Sequence, residues 1–342
     1  MKIEVYSPTI RRKEMDAVLT AMVEDNIGPG EQSQKLVQIA REYLHFDYCL
    51  PLRSPAVALA FALKALDLHD GDGVLLSALA PRYCAWVLES MRLFPIYCDT
   101  APSSVLLSAE TIAAAAAGKS PKALLVHHVL GFAPDMAALA ETGVPIIEDC
   151  SRSYAPPAGE EEKTEKGGAV FSILGLEERD ALTAGGGALL YALTRRDSGP
   201  LRNLEFPREY SLPDINAALA QIQFKEAARN HARRRDIAQV YTQAALRTRH
   251  KHIVRNDKPE YNNYAFPLII ETGMKDVISY GKRKEVSVEY AFEDTLMGAG
   301  LVPKESCPEA YSLSLRTAIF PLYPRLSSSQ ITKVSKFLSA LP

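Results

Sequence analysis

Long apolar runs are the first thing this 342-residue sequence lacks. No stretch approaches the roughly 20 consecutive apolar residues of a membrane-spanning helix. The opening residues, MKIEVYSPTIRRKEM, carry no apolar signal core, so a cytoplasmic location is expected, with no membrane association. Charge of one sign is not in excess either: 39 basic residues against 41 acidic ones leave a formal net charge of -2. That balance offers no general attraction to nucleic acid or to an anionic membrane. Cysteine is sparse and unpatterned. Cys49, Cys84, Cys98, Cys150 and Cys307 are odd in number and free of CxxC spacing, which excludes a disulfide framework and argues against a metal site. No internal repeat or long low-complexity linker occurs.

What is present is ordinary globular composition, 47% apolar and 23% charged, in a chain too long for one small core. One large domain and a smaller one are expected, with residues 1–235 forming the first and 236–342 the second. The residues before Gly28-Pro29-Gly30 are polar and helical in period, and Gln34–Leu44 reads as an amphipathic helix. Ser54 is placed to cap a buried apolar helix over Ala56–Leu66, with Pro55 at its first position, where a missing N–H costs nothing. From Gly73 onward strands and helices alternate. VLLSAL, FPIYCD and ALLVHHV read as buried strands, and the segments around Ala85–Met91, Ala113–Ala117 and Asp135–Glu141 as helices. This alternation predicts an α/β fold with a mostly parallel sheet covered on both faces. From Leu212 the period turns helical through Leu246, and its arginine-rich turn, Arg229–Arg235, reads as a solvated or interface-lining face. Beyond Ile253 short strand runs (YAFPLII) mix with helices, Ser328–Leu341 among them and Arg283–Glu289 as a candidate, which suggests a separate α+β domain.

The stretch from Val144 to Gly187 carries the chemistry. Its apolar run Val144–Ile147 ends in Glu148 and Asp149, as a buried parallel strand presents an acid at its C-terminal end, where open α/β sheets bind ligands. A second apolar run, Ala169–Leu174, contains Ser172, and a third follows Gly185-Gly186-Gly187. These segments, together with IGPGEQSQKLVQIAREYL, DGDGVLLSAL, VHHVLGFAPDM, PIIEDCSRSY, YSLPDINAALAQIQ, RRRDIAQVY and FPLYPRLSSSQITKV, occur in the order and spacing of a known family. The sequence resembles the DegT-type (DegT/DnrJ/StrS) sugar aminotransferases. The resemblance implies the fold of aspartate aminotransferase, fold type I of the pyridoxal phosphate (PLP) enzymes. That fold has a seven-stranded, mostly parallel sheet between helices, with a smaller C-terminal α+β domain.

The same resemblance implies a set of cofactor-binding groups. It places Asp149 at the aspartate that pairs with the pyridinium nitrogen, Ser172 at a phosphate-binding serine, and His128 at the histidine of a family strand, where packing is the expected role. Elsewhere the family pattern is altered. The Schiff-base lysine falls in the window Glu177, Glu178, Arg179, and no lysine occurs between Lys166 and Lys225. Arginine cannot replace it as a nucleophile, and glutamate can shuttle protons but forms no imine. The phosphate cup Ser-Gly-Thr reads Ser54-Pro55-Ala56, losing an N–H and a hydroxyl donor. The asparagine and arginine lent by a partner subunit align with Glu209 and Ser211. The stacking aromatic falls near Pro81, with Tyr83 an approximate substitute, and a glutamine has become Arg152. Arg152 or Arg53 is therefore expected to fill part of the pocket and pair with Asp149.

These substitutions lead to one main expectation, a non-catalytic binding or regulatory protein that needs no cofactor. It would form a homodimer or a heterodimer with an active relative, with a nucleotide-linked sugar as its ligand, in nucleotide-sugar or cell-surface polysaccharide metabolism. The alternative is a divergent enzyme, dependent on PLP or pyridoxamine phosphate (PMP), acting as an aminotransferase or dehydratase on a nucleotide-linked keto sugar. Cofactor-free acid–base chemistry with Glu177, Glu178 or Asp149 beside Arg152 is a variant of that second class.

Overall fold

The computed structural model describes residues 2–25, 27–156, 168–253 and 261–342. The charged insert between Pro156 and Gly168, with Lys166, lies outside the described residues. Helices α1 (Arg12–Val23) and α2 (Glu31–Leu44) precede strand β1 (Tyr48–Leu52) and helix α3 (Pro55–Ala65). Four parallel strands follow with their crossovers. They are β2 (Gly73–Ser77), helix α4 (Tyr83–Ser90), β3 (Phe94–Cys98), helix α5 (Ala109–Ala116), β4 (Pro121–His127), helix α6 (Met136–Ala140) and β5 (Ile146–Asp149). Strands β6 (Ala169–Gly175) and β7 (Ala188–Ala192) complete a seven-stranded sheet of order β1-β7-β6-β5-β4-β2-β3. Only β7 runs against its neighbours. The predicted α/β architecture is the observed one.

Register decides what each face of this sheet carries, because successive side chains point to opposite sides. His127, Asp149 and Ile173 are partners across β4, β5 and β6, and Val126, Glu148 and Ser172 are partners one residue earlier. The first row lies on the face that packs Leu125, Ile147, Phe171 and Leu190 against Leu59 and Leu63 of α3. The second lies on the face that packs Leu124, Val126 and Ile146 against Ile112 and Leu139. The adjacent acids at the end of β5 are thereby sent to opposite sides of the sheet.

After helix α7 (Arg195–Arg202), helix α8 (Asp214–Ala245) runs for 32 residues, about 48 Å at 1.5 Å per residue. Its first half buries Ala217, Ala220 and Phe224 against α2 and β7. Its second half buries Ile237, Tyr241 and Ala245 in another core, with Phe266, Phe320, Phe337 and the N-terminal Ile3. That core covers an antiparallel sheet of β8 (Phe266–Ile269), β10 (Thr317–Phe320) and β9 (Glu289–Tyr290). Helices α9 (Met274–Lys284), α10 (Pro308–Arg316) and α11 (Ser328–Leu338) accompany it. The candidate helix over Arg283–Glu289 is displaced: α9 ends at Lys284, where Glu285 turns left-handed at φ 54°. The arginine-rich turn is not uniformly solvated, since Arg234 is 8% exposed. No described helix is long and apolar enough to cross a membrane.

Asp214 ties the start of α8 to the start of α2. The carboxylate is 2% exposed and accepts from the backbone N–H groups of Gly30 (2.9 Å), Gln32 (3.0 Å) and Ser33 (2.9 Å) and from Ser33 Oγ (2.8 Å). It supplies the cap that Gly30, with no side chain, cannot. A Cβ on Gly30 would sit 2.9 Å from Asp214 Oδ2, so a bare backbone is needed there. Asp214→Ala leaves the N–H groups of Gly30, Gln32 and Ser33 without this acceptor, with only Ser33 a buried residue, and we expect a loss of about 2 kcal/mol of stability. Urea unfolding should show this as a lower midpoint at unchanged slope. A loss below about 1 kcal/mol would mean that water replaces the carboxylate.

Candidate active site

Asp149 closes β5 with its carboxylate 3% exposed. Oδ1 accepts from the backbone N–H of Ser151 at 3.0 Å and from Ser151 Oγ. Oδ2 accepts from Tyr83 Oη at 3.0 Å, and His127 Nδ1 lies 3.0 Å from the same oxygen. A carboxylate offers about four acceptor positions, so all are taken. Burial opposes its charge, but His127 and the two Ser151 donors outweigh that and hold its pKa well below the ordinary carboxylate range. Burial likewise lowers the pKa of His127. The pair is a neutral imidazole donating Nδ1–H to an ionised Asp149, and His127 Nε2 is buried without a partner.

The loop after β6 brings a second carboxyl to this place. Glu177 is half-buried, and Glu178 and Arg179 are exposed. Arg179 pairs outward with Glu289 at 2.8 Å. Asp180, one residue beyond the expected window, turns inward to 8% exposure, its Oδ2 accepting from the backbone N–H of Glu177 at 2.8 Å. Gly175 makes the approach possible: a Cβ there would lie 2.2 Å from Asp180 Oδ2 and 2.7 Å from Ser151 Oγ. Burial, then the charge of Asp149, push the Asp180 pKa up to about 7, against the pull of the Glu177 N–H and Arg152. Arg152 is half-buried, with its guanidinium 5.7 Å from the ring centre of Tyr264.

Several expected placements change. Neither Arg152 nor Arg53 pairs with Asp149. The Arg152 charge reaches Asp149 and Asp180 only through the field, and Arg53 Nε donates to the Glu209 carbonyl at 2.7 Å. Tyr83 touches the site through its hydroxyl. Ser54 caps its own helix, accepting from Val57 N–H at 3.3 Å, as foreseen. Glu209 sits exposed in the turn Arg208–Tyr210. Ser172 and His128 belong to the other face: Ser172 Oγ donates to Glu148 Oε2 at 3.1 Å, and His128 Nε2 lies 3.2 Å from Glu148 Oε1. With Ser153 Oγ 2.5 Å from His128 Nδ1, this histidine is held by polar contacts on that face, where packing was the expected role. Asp180, His127 and Ser151 were missed. The signals for them were Gly175, the only small residue in the strand end, and the period-two pairing of β4 with β5. The five cysteines are free, and burial raises the thiol pKa of Cys84 and Cys150, which leaves them inert. The described residues hold no metal-ligating cluster.

The profile of the DegT/DnrJ/EryC1/StrS aminotransferase family matches residues 8–192 and 189–339. The chain belongs to this family. A relative, the L-glutamine:2-deoxy-scyllo-inosose aminotransferase of Streptomyces lividus, is 28% identical over 187 residues, 53% of this chain and 42% of that protein. The match thus spans about two fifths of that curated relative. Among solved structures, Spr1654 of Streptococcus pneumoniae in its PMP form has a TM-score of 0.86 at 16% identity, covering 99% of this chain and 97% of that one. A PLP form of it matches equally well. GDP-4-keto-6-deoxymannose-3-dehydratase has a TM-score of 0.83 at 15% identity, covering 98% of this chain and all of that one. These likenesses establish the fold type I architecture.

They also correct the main functional expectation. The matched relatives are named as catalysts, aminotransferases and a dehydratase, and nothing observed here shows a loss of activity. A non-catalytic protein is therefore not the supported reading. Nor is the expectation of no cofactor, since this fold is solved with PMP and with PLP.

The residues of this family member fit such a cofactor unevenly. An ionised, buried Asp149 at the C-terminal end of β5 fits a pyridinium nitrogen, which would take the position that the Tyr83 hydroxyl holds. A Schiff base has no lysine in the loop after β6. At the start of α3 the Ser54 hydroxyl accepts from its own helix and keeps its O–H to donate, but Pro55 offers no N–H. The set fits a cofactor held without a covalent bond.

The Asp180 proton has a consequence for stability. The ordinary carboxyl pKa is 3.8 and the folded one is about 7, so between them the folded chain binds more protons than the unfolded one. Stability is then lost as pH rises through that window. Asp180→Asn removes the ionisation, and we expect it to gain on the order of 2–4 kcal/mol relative to wild type between about pH 5 and pH 8. Thermal unfolding across that range reads the difference. Parallel curves for the two proteins would show that Asp180 ionises freely.

Proposed function

We propose that this family member is a divergent PLP/PMP-dependent enzyme, of aminotransferase or dehydratase type, that acts on a keto sugar carried by a nucleotide. The observation that carries the reading is Asp180. Its buried carboxyl, with a pKa near 7, stands in the loop where the family resemblance places a proton-shuttling lysine. A group titrating near neutral pH is suited to give and take a proton in turn. The names of the relatives supply the substrate class: one acts on an inosose, a cyclic ketone, and one on a GDP-linked keto sugar.

The PMP form is favoured because an amine already on the cofactor needs no lysine to hold it. When bound, the cofactor would supply an amine for a keto carbon and a ring able to accept electrons. Asp149 keeps a ring nitrogen protonated, and its four-donor setting keeps Asp149 itself ionised. His127 holds the Asp149 carboxylate in orientation through Nδ1. Asp180 moves the proton at the reacting carbon, and Arg152 offsets negative charge that develops beside it.

The reading is tested by titrating the protein with PMP and with PLP, followed by borohydride, and by turnover of a nucleotide-linked 4-keto sugar. We expect saturable PMP binding and no reductive attachment of PLP to the loop after β6. Asp180→Asn should lower kcat by about 100-fold or more with PMP affinity unchanged, and should remove the pH limb near 7. Failure to bind either cofactor, together with no turnover, would reject the proposal.

A further inference from the structure

Helix α8 carries a second charged feature that the proposed reaction does not use. Arg234 is 8% exposed, and its Nε is buried with no hydrogen-bond partner. Among the described residues no carboxylate pairs with it; the ionisable groups beside it are the hydroxyls of Tyr6, Tyr264 and Tyr261 and the imidazole of His231. A buried guanidinium without a counter-charge is costly, and natural chains rarely keep one unless something arrives to meet it. Arg234 lines a small, partly open cleft with Tyr154, Asn230, His231 and the loop residues Ala181 and Leu182. The Tyr154 hydroxyl on the same cleft is also buried and without a partner. Arg11 Nη1 donates to Asn230 Oδ1 at 3.0 Å, so what Asn230 can offer a ligand is its Nδ2 donors. No acidic side chain is among the described lining residues.

We propose that this cleft binds the oxyanion group of a small molecule, a phosphate or a carboxylate, with Arg234 supplying the charge and Tyr154 and Asn230 the hydrogen bonds. The donors are all of one kind. A guanidinium presents a planar fork that both anions match, and a phenol and a carboxamide complete the shell. The enclosed space, about 10 Å³, is far below the roughly 300–1,000 Å³ of a pocket that encloses a whole drug-sized ligand, so nothing larger than one anionic group can enter. Ala181 and Leu182 follow Asp180 directly, and an occupied cleft therefore braces the loop that positions that carboxyl. The cleft's chemistry does not depend on the proposed reaction, and binding here is read without a cofactor or a sugar.

The test titrates the full chain with inorganic phosphate and, separately, with acetate, at ionic strength held constant with potassium chloride. Thermal midpoint and calorimetric heat are followed. A saturable rise in midpoint with at least one anion is expected, and the tighter of the two identifies the head group. Arg234→Gln should weaken that binding by about tenfold or more, and Tyr154→Phe by about threefold. Tyr154→Phe deletes a hydroxyl that has no partner in the protein, so it should fold normally even where Arg234→Gln does not. No saturable response to either anion, or equal affinity in Tyr154→Phe and wild type, would overturn the assignment.

Discussion

The ionised carboxylate of Asp149, held inside a dry sheet end, is the constraint on which this site depends. A buried charge survives only when its lone pairs are met. Here the donors come from three places: His127 on β4, Tyr83 on α4, and the turn that follows β5. Ser151 also accepts from the backbone N–H of Gly175 at 2.7 Å, which extends the network to β6. One charge thus sets the relation of the central strands to the helix above them. Such networks act as units, since removing one member leaves the others buried and unsatisfied.

The same charge sets the behaviour of its neighbour. Two carboxyls in one low-dielectric space cannot both ionise cheaply, and the one with more hydrogen-bond donors keeps its charge. Asp149 has four donors, and among the described residues Asp180 accepts only from the Glu177 backbone N–H, so the proton stays with Asp180 until near neutral pH. Arg152 tempers this without reversing it, being stacked on Tyr264 and not bonded to either acid. Acid–base capacity in this site therefore arises from a difference in hydrogen bonding between two like groups.

Much of the fold was readable in advance. The buried parallel strands announced themselves as apolar runs, the cap at Ser54 by a side chain that bonds the next turn, and α8 by its sustained period. The elements that escaped were short or depended on partners: β1, held at the sheet edge by β7, α7 with Pro200 inside it, and α10 running directly into β10. Local pattern is weak where tertiary pairing supplies the stability.

The site divides along the same line. Asp149 at the end of β5, and a loop after β6 without a lysine, follow from the order of residues, because a strand delivers its last side chains to the sheet's C-terminal edge wherever the chain goes next. Which acid of the pair Glu148 and Asp149 meets Tyr83, which faces Ser172, and that Asp180 is the carboxyl brought inward, were decided only by register and by the close approach at Gly175. Those depend on which strands lie beside one another. A shift of one residue in pairing exchanges the two faces, and composition is blind to it.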